Sequence, residues 1–159
     1  MNGLQIVNFF SLDPCTGPVF GGLAMRNSPE LPFVERNRGL YVLNTDVLQG
    51  DGEHWCLVFF EGAKEEFFDP FGRPPDVYGF EHLLTKRKQT KKRQYSSVCV
   101  QDLFGVTCGA HCLFFGFQRC RGFTMKEILQ MYDVSNPKAN DSMVANFVRD
   151  FGKSFGVKQ

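Results

Sequence analysis

The sequence carries almost no net charge: eighteen basic residues stand against seventeen acidic ones. Without a global field, the chain as a whole is not drawn to nucleic acid or to a membrane surface. No apolar run approaches the ~18 residues that a membrane span needs. Residues 1–10 lack the basic start and long apolar stretch of a secretory signal, so an intracellular, non-secreted protein is expected. No internal repeat is present. Long polar tracts are also missing, because 43% of the residues are hydrophobic and 18 are Phe, which excludes a disordered chain. At 159 residues the chain is expected to form a single domain spanning 1–159, burying about two thirds of its unfolded surface. So well supplied a core does not need its six cysteines as disulfide staples, and they read as mostly free thiols in a reducing compartment.

From Asp13 to Gly39 turn formers crowd out any long periodic element, so a wrapped, loop-rich segment is expected. Leu40–Leu43 reads as a short buried strand. After a polar turn at Gln49-Gly50-Asp51-Gly52, His54–Phe60 is apolar on both faces and reads as a strand inside a sheet. Glu61-Gly62-Ala63-Lys64 turns the chain into a second strand, Glu65–Asp69, stopped by Pro70. Phe71–Pro75 reads as a tight loop, Tyr78–Leu84 as helical, and Tyr95–Gln101 as a strand. Cys108–Phe117 is nearly all small or apolar, which suits a helix buried on all sides. Thr124 and Glu127 form a capping-box pattern for a helix to about Tyr132. Asp141 reads as the cap of a last helix, with Met143, Val144, Phe147, Val148 and Phe151 on one face and Gly152 ending it. The pattern defines an α+β protein with a central sheet packed on a buried helix.

One segment breaks the charge balance: Lys86, Arg87, Lys88, Lys91, Lys92 and Arg93 crowd into eight residues. Such a run is either a solvated loop or a site that releases counterions from DNA or RNA. No aromatic residue interleaves with it, so base stacking is not implied. Cys108, His111, Cys112 and Cys120 lack the second paired unit of a structural zinc site, and His54 with Cys56 is poor spacing for two ligands, so no metal is expected. Cys112 and Cys120 read as core thiols, and His111 as a partly buried helix residue.

The strand pair carries the chemistry. With a two-residue turn, paired residue numbers sum to 125, placing Asp69 opposite Cys56 and diagonal to His54. A four-residue turn makes the sum 123, and Asp69 then faces His54 directly. In either register the carboxylate and imidazole share a face. Cys108 sits at the start of the apolar helix, where exposed N–H groups and the helix dipole favour a thiolate. Gly109 leaves room for a substrate, and Trp55 could wall a narrow groove beside His54. Gln101 could aim its amide at a developing oxyanion, together with the Cys108 backbone N–H. Nucleophile, base, orienting acid and oxyanion donor are the parts of a cysteine hydrolase.

Taken in order, these motifs resemble the adenovirus-type cysteine endopeptidases (adenain), in the clan that also holds the ubiquitin-like-protein (SUMO-type) proteases. The resemblance runs through Asn44-Thr45, His54-Trp55, Phe68-Asp69-Pro70-Phe71-Gly72, Gln101 and Cys108-Gly109, with Gly17-Pro18-Val19-Phe20 near the start. It implies a permuted papain-like fold with a central mixed or antiparallel sheet and the nucleophile on the buried helix. It implies Cys108 as nucleophile, His54 as base and acid, Asp69 as orienter and Gln101 in the oxyanion hole. Asp69 stands where that family often has Glu, which is chemically equivalent.

The function implied is a viral maturation endopeptidase cutting precursor proteins at Gly-containing sites, in the host nucleus and virion. It needs no cofactor for its chemistry. Peptide and DNA activators are implied by the resemblance, with Cys56 and Cys99 as candidates for a mixed disulfide to the peptide. The rival readings are a deconjugating protease for a ubiquitin-like protein and a non-catalytic, DNA-associated virion protein. If the basic run binds a polyanion, DNA association falls steeply with added salt. Replacing Lys91, Lys92 and Arg93 by Ser should flatten that response in a filter-binding titration, and an unchanged salt slope removes the idea.

Overall fold

A computed structural model describes residues 1–31, 37–47, 54–85, 87 and 89–155. The turn expected at Gln49–Gly52 lies outside them. Five strands run β1 (Phe20–Met25), β2 (Arg38–Asn44), β3 (Trp55–Glu61), β4 (Lys64–Phe68) and β5 (Lys92–Tyr95), and their order in the sheet is their order in the chain. The inner pairs β2–β3 and β3–β4 are antiparallel, while the outer pairs β1–β2 and β4–β5 are parallel. The sheet is therefore mixed, with β3 at its centre, as the double-sided apolarity of that segment requires.

Alternation along β3 divides the core in two. Leu57 and Phe59 join a large cluster with the helices, whereas Cys56, Val58 and Phe60 join a smaller one on the opposite face. The helices are α1 (Gly3–Leu12), α2 (Glu81–Leu84), α3 (Cys108–Cys120), α4 (Met125–Leu129) and α5 (Pro137–Phe155). Helix α3 lies in the larger cluster and is buried along most of its length. Phe115 stacks on Phe68 of β4 at 4.3 Å between ring centres. A Cβ at Gly116 would come within 2.8 Å of Leu40 and Phe10, so glycine is what lets α3 approach the sheet and α1 this closely. Arg119 reaches from α3 to Glu66 of β4 at 2.6 Å, a buried ion pair at the far end of the same helix. Phe9 of α1 stacks on Phe151 of α5 at 3.7 Å, closing the layer. The result is an α+β architecture, a five-stranded mixed sheet packed on helices, with the nucleophile candidate at the first residue of its most buried helix. Among the described residues, no helix is long and apolar enough to cross a membrane.

Four expectations need correction. The segment Asp13–Gly39 is not only loop, since it contains β1, whose Leu23, Ala24 and Met25 pair in parallel with Val42, Leu43 and Asn44. The strand expected at Tyr95–Gln101 lies earlier, at Lys92–Tyr95, because the later residues are drawn off the ladder. Ser96 bonds the backbone of Asp69, while the amides of Val100 and Gln101 both donate to the Pro70 carbonyl. Asp141 does not cap the last helix. That helix starts a turn earlier, with Pro137 at its head where a missing N–H costs nothing, and it passes through Gly152 to Phe155. Helix α4 stops at Leu129 rather than near Tyr132.

The loop after β4 depends on Gly72. Its φ of 72° is left-handed, and a Cβ there would lie 2.6 Å from the Val98 carbonyl carbon and 2.9 Å from the Cys99 nitrogen. Gly72→Ala should therefore cost at least about 1–2 kcal/mol from the backbone alone, lowering the melting temperature by roughly 2–8 °C. Calorimetry checks this, and a wild-type melting temperature would mean the loop relaxes freely.

Candidate active site

The site is built at one end of the central hairpin. The two-residue turn Gly62-Ala63 sets the register, with Gly62 at a left-handed φ of 57°. Leu57 pairs with Phe68 and Val58 with Phe67, so paired numbers sum to 125 and Asp69 falls diagonal to His54. His54 directly precedes β3 and its carbonyl still accepts from the Thr45 amide at 2.9 Å, which extends the β2–β3 ladder to the imidazole. His54 Nε2 and Asp69 Oδ1 are 2.6 Å apart. Both side chains are buried, Asp69 completely.

A fully buried carboxylate needs donors, and Asp69 has them. Its Oδ1 accepts from the Phe71 amide at 3.0 Å and from the Cys56 thiol at 3.9 Å. Its Oδ2 accepts from the Arg73 amide at 2.8 Å and the Tyr78 hydroxyl at 3.0 Å. Burial alone would raise the carboxyl pKa, but the His54 bond and these backbone donors outweigh it and hold it below its ordinary value. Phe71 stacks on the imidazole at 4.7 Å between ring centres, and Tyr78 lies beyond it at 5.6 Å.

With Nε2 held by Asp69, Nδ1 is the ring nitrogen left for Cys108. Burial works to lower the imidazole pKa, yet the Asp69 bond and the Cys108 sulfur together raise it to about 9. The thiol shifts the opposite way. Burial would push it up, but hydrogen bonds from His54 and from the Trp55 and Gly109 backbone bring it below its ordinary value. Thr107, the cap residue of α3, makes no side-chain cap bond, so its hydroxyl does not compete for the N–H groups of the first turn. Both shifts run in the direction that favours a thiolate beside an imidazolium at a helix N-terminus.

Gln101 is buried in the loop that leads into α3. Its amide nitrogen donates to the Gly105 carbonyl at 2.8 Å, while its buried Oε1 has no hydrogen-bond partner among the described residues. An amide nitrogen carries two N–H groups, so one remains for a further acceptor. Asn140 of α5 holds the Val100 carbonyl at 2.9 Å, and Asp141 holds His111 Nε2 at 2.9 Å, tying the Gln101 loop and α3 to α5. His111 is fully buried rather than partly so, and its pKa is lowered because burial outweighs the Asp141 bond. At the other wall, the Trp55 indole donates to the Met1 carbonyl at 3.2 Å. A Cβ at Gly109 would lie 3.2 Å from Met1 and 3.4 Å from the Trp55 ring, so both pack closely against the first turn of α3.

The structure thus joins His54 to Asp69, sets Cys108 where it interacts with His54 and with the Trp55 and Gly109 backbone, and places Gln101 in the loop that leads into α3. Three contributors escape sequence reasoning: Cys56, Tyr78 and Ser96, which all serve Asp69. Cys56 had a signal, since the 125 register places it opposite Asp69. Tyr78 and Ser96 reach Asp69 only through the path of their loops.

The basic run lies away from this cluster. Lys86 and Lys88 lie outside the described residues. Arg87 is turned inward, donating to the Gly62 carbonyl at 2.6 Å and lying over the Phe60 ring at 4.3 Å. Arg93 pairs with buried Glu65. Lys91 and Lys92 are exposed. A nucleic-acid role for Arg87 therefore conflicts with its placement: its charge is spent inside the fold.

Cys56, Cys112 and Cys120 are buried, while Cys15 and Cys99 are exposed. Among the described residues, His54, Cys56 and Asp69 form a cluster whose potential metal-ligating atoms lie within 4.8 Å of one another. This is closer than the strand spacing suggested, because residues two apart share a face. All three atoms are already joined by the hydrogen bonds above, and burial pushes the Cys56 thiol pKa well up, against the thiolate a metal prefers.

Comparison with known proteins finds likenesses among solved structures. No family model matches the chain, and no curated protein matches it. The fold is similar to that in the crystal structure of the Se-Met ASFV pS273R protease, at 23% identity and a TM-score of 0.43. The likeness covers 64% of this chain and 41% of that one.

The charge pair has a pH signature. Alkylation of Cys108 by iodoacetamide should reach half its plateau below the ~8.5 of a free thiol. In His54→Ala the midpoint should move up, because the cation that favours the thiolate is gone. Mass spectrometry of the labelled peptide across pH 5 to 10 checks both, on the order of the range over which such thiols titrate. An unmoved midpoint would mean that His54 does not set the thiol.

Proposed function

We propose that the protein is a cysteine endopeptidase. The observation that carries this reading is His54 joined to buried Asp69 through Nε2, with Cys108 interacting with the imidazole from the first residue of α3. In the proposed reaction the Cys108 thiolate attacks a peptide carbonyl carbon, and the carbonyl electrons move to oxygen. The Cys108 backbone N–H and the free N–H of Gln101 stabilise that oxyanion. His54 gives its Nδ1 proton to the leaving amine, the C–N bond breaks, and a thioester remains on Cys108. A water then loses a proton to His54 and attacks the thioester, and the sulfur leaves as thiolate. Asp69 holds the ring in place and stabilises its charge throughout.

Substrates with Gly next to the scissile bond are the ones we favour, on the resemblance carried by His54-Trp55 and Cys108-Gly109. Precursor proteins of a virus are the substrate class we favour, on the ordered motifs His54-Trp55, Asp69-Pro70-Phe71-Gly72 and Gln101 to Cys108-Gly109. Coexpression with candidate precursors, followed by sequencing of the new termini, tests this. Cleavage confined to a folded ubiquitin-like fusion would replace it with the deconjugating reading.

Two variants separate the roles. Cys108→Ala should abolish cleavage while leaving the melting temperature near wild type, because a small residue fits the head of α3. Gln101→Ala should slow turnover about a hundred- to a thousandfold with iodoacetamide labelling of Cys108 retained. Unchanged turnover in Gln101→Ala would assign the oxyanion to another donor.

A further inference from the structure

Beside His54 lies a cavity of about 190 Å³, well above the ~30 Å³ share of one water. His54, Phe71 and Tyr78 form its inner wall, and Arg26, Thr45 and Arg73 stand around it. Both arginines are exposed, so the cavity is open to solvent. Among the described residues no carboxylate lines it, and neither arginine has an acidic partner. Both are fixed by their backbones at its rim: the Arg26 amide donates to the Asp46 carbonyl at 3.0 Å, and the Arg73 amide to Asp69. The Tyr78 hydroxyl is committed to Asp69, whose charge lies buried behind the wall. The polar residues at the cavity are two arginines, a threonine and the His54 imidazole, beside the apolar surfaces of Phe71, Val77 and Tyr78.

We propose that this cavity is a specificity subsite that takes a carboxylate side chain, Asp or Glu, from the part of the polypeptide following the scissile bond. The inference rests on the endopeptidase reading. In that reading the leaving amine receives its proton from His54, so the residues after the bond depart across the imidazole. The cavity shares that imidazole as a wall, which places it on the leaving-group side. The acyl side of the substrate runs the other way, past Gly109 and Trp55. Guanidinium groups bind carboxylates through paired N–H donors, and a donor-rich, acceptor-poor lining favours an acceptor-only group. The same lining rejects Lys and Arg by like-charge repulsion. Selection there would act on the bond to be cut without any demand on the acyl-side glycine.

The test is cleavage of a library of peptides derived from a whole proteome, with the new N-termini sequenced. It compares wild type, Arg26→Glu, Arg73→Glu and Cys108→Ala. Wild type should enrich Asp and Glu over Lys and Arg at the first or second position after the cut, by about tenfold for a charge-assisted contact. Each charge reversal should erase or invert that enrichment, and equal melting temperatures would show that the exposed substitutions leave the fold intact. Cys108-dependent cutting without acidic enrichment overturns the subsite and leaves the peptidase standing. So does acidic enrichment that survives both reversals. No cutting by wild type beyond that of Cys108→Ala overturns the peptidase reading, and the subsite with it.

Discussion

The structure turns on a carboxylate that touches no solvent. Asp69 is buried at the end of the central hairpin, where an unpaired charge would be costly enough to unfold the site or neutralise the group. The chain prevents this by bringing five donors to it. The strand before brings Cys56, the loop after supplies the Phe71 and Arg73 amides, the short 3-10 turn brings Tyr78, and β3 is preceded by His54. Ser96 then fixes the backbone of Asp69 itself, donating to its carbonyl and accepting from its amide. Each donor lowers the energy of the same anion. The loop from Pro70 to Tyr78 and the turn of chain near Ser96 are therefore shaped by one charge.

That charge is passed on to the sulfur through the sheet–helix contact. Trp55 sits between the two. Its backbone meets the Cys108 sulfur, while its carbonyl accepts from the Cys112 thiol at 3.3 Å, one turn further along α3. The first residue of β3 thus braces the first turn of α3 at two heights. Rotation of the helix about its axis, which would swing the thiol away from His54, would break both contacts. Close packing at Gly116 and the Arg119–Glu66 pair hold the remaining length of the helix against the same sheet.

Much of this was legible because it is local or periodic. The hairpin announced itself through its double-sided apolar strand and short Gly-containing turn, and register arithmetic then joined His54 to Asp69 whichever turn was chosen. Helix α3 was equally plain from Cys108 to Phe117. Helix α1 was missed although Asn2 and Gln5 form a reciprocal capping box ahead of Ile6, Phe9 and Phe10. Strand β1 was hidden because Gly21 and Gly22 read as turn formers; Gly21 instead makes room for the Tyr41 ring. The misplacement of β5 has a different cause. Residues 95–101 alternate as a strand would, but side-chain and carbonyl partners near Asp69 capture their hydrogen bonds. Asp141 looked like a cap because capping and burial against a histidine ask for the same residue type. Only the position of Pro137 and the packing of His111 separate those uses.

The bracing of Gln101 has a consequence for the timing of synthesis. His54, Asp69, Gln101 and Cys108 all leave the ribosome before Asn140 and Asp141, yet those two residues of α5 secure the Val100 carbonyl and His111. Phe151, near the end of the same helix, closes the layer against Phe9 at its beginning. The reactive sulfur is therefore translated well before the groups that brace its surroundings, and the first and last helices must find each other across the whole length of the chain. Bracing of the site is therefore completed only once α5 has been made. A nascent chain halted before α5 carries every reactive group and lacks the brace that steadies them.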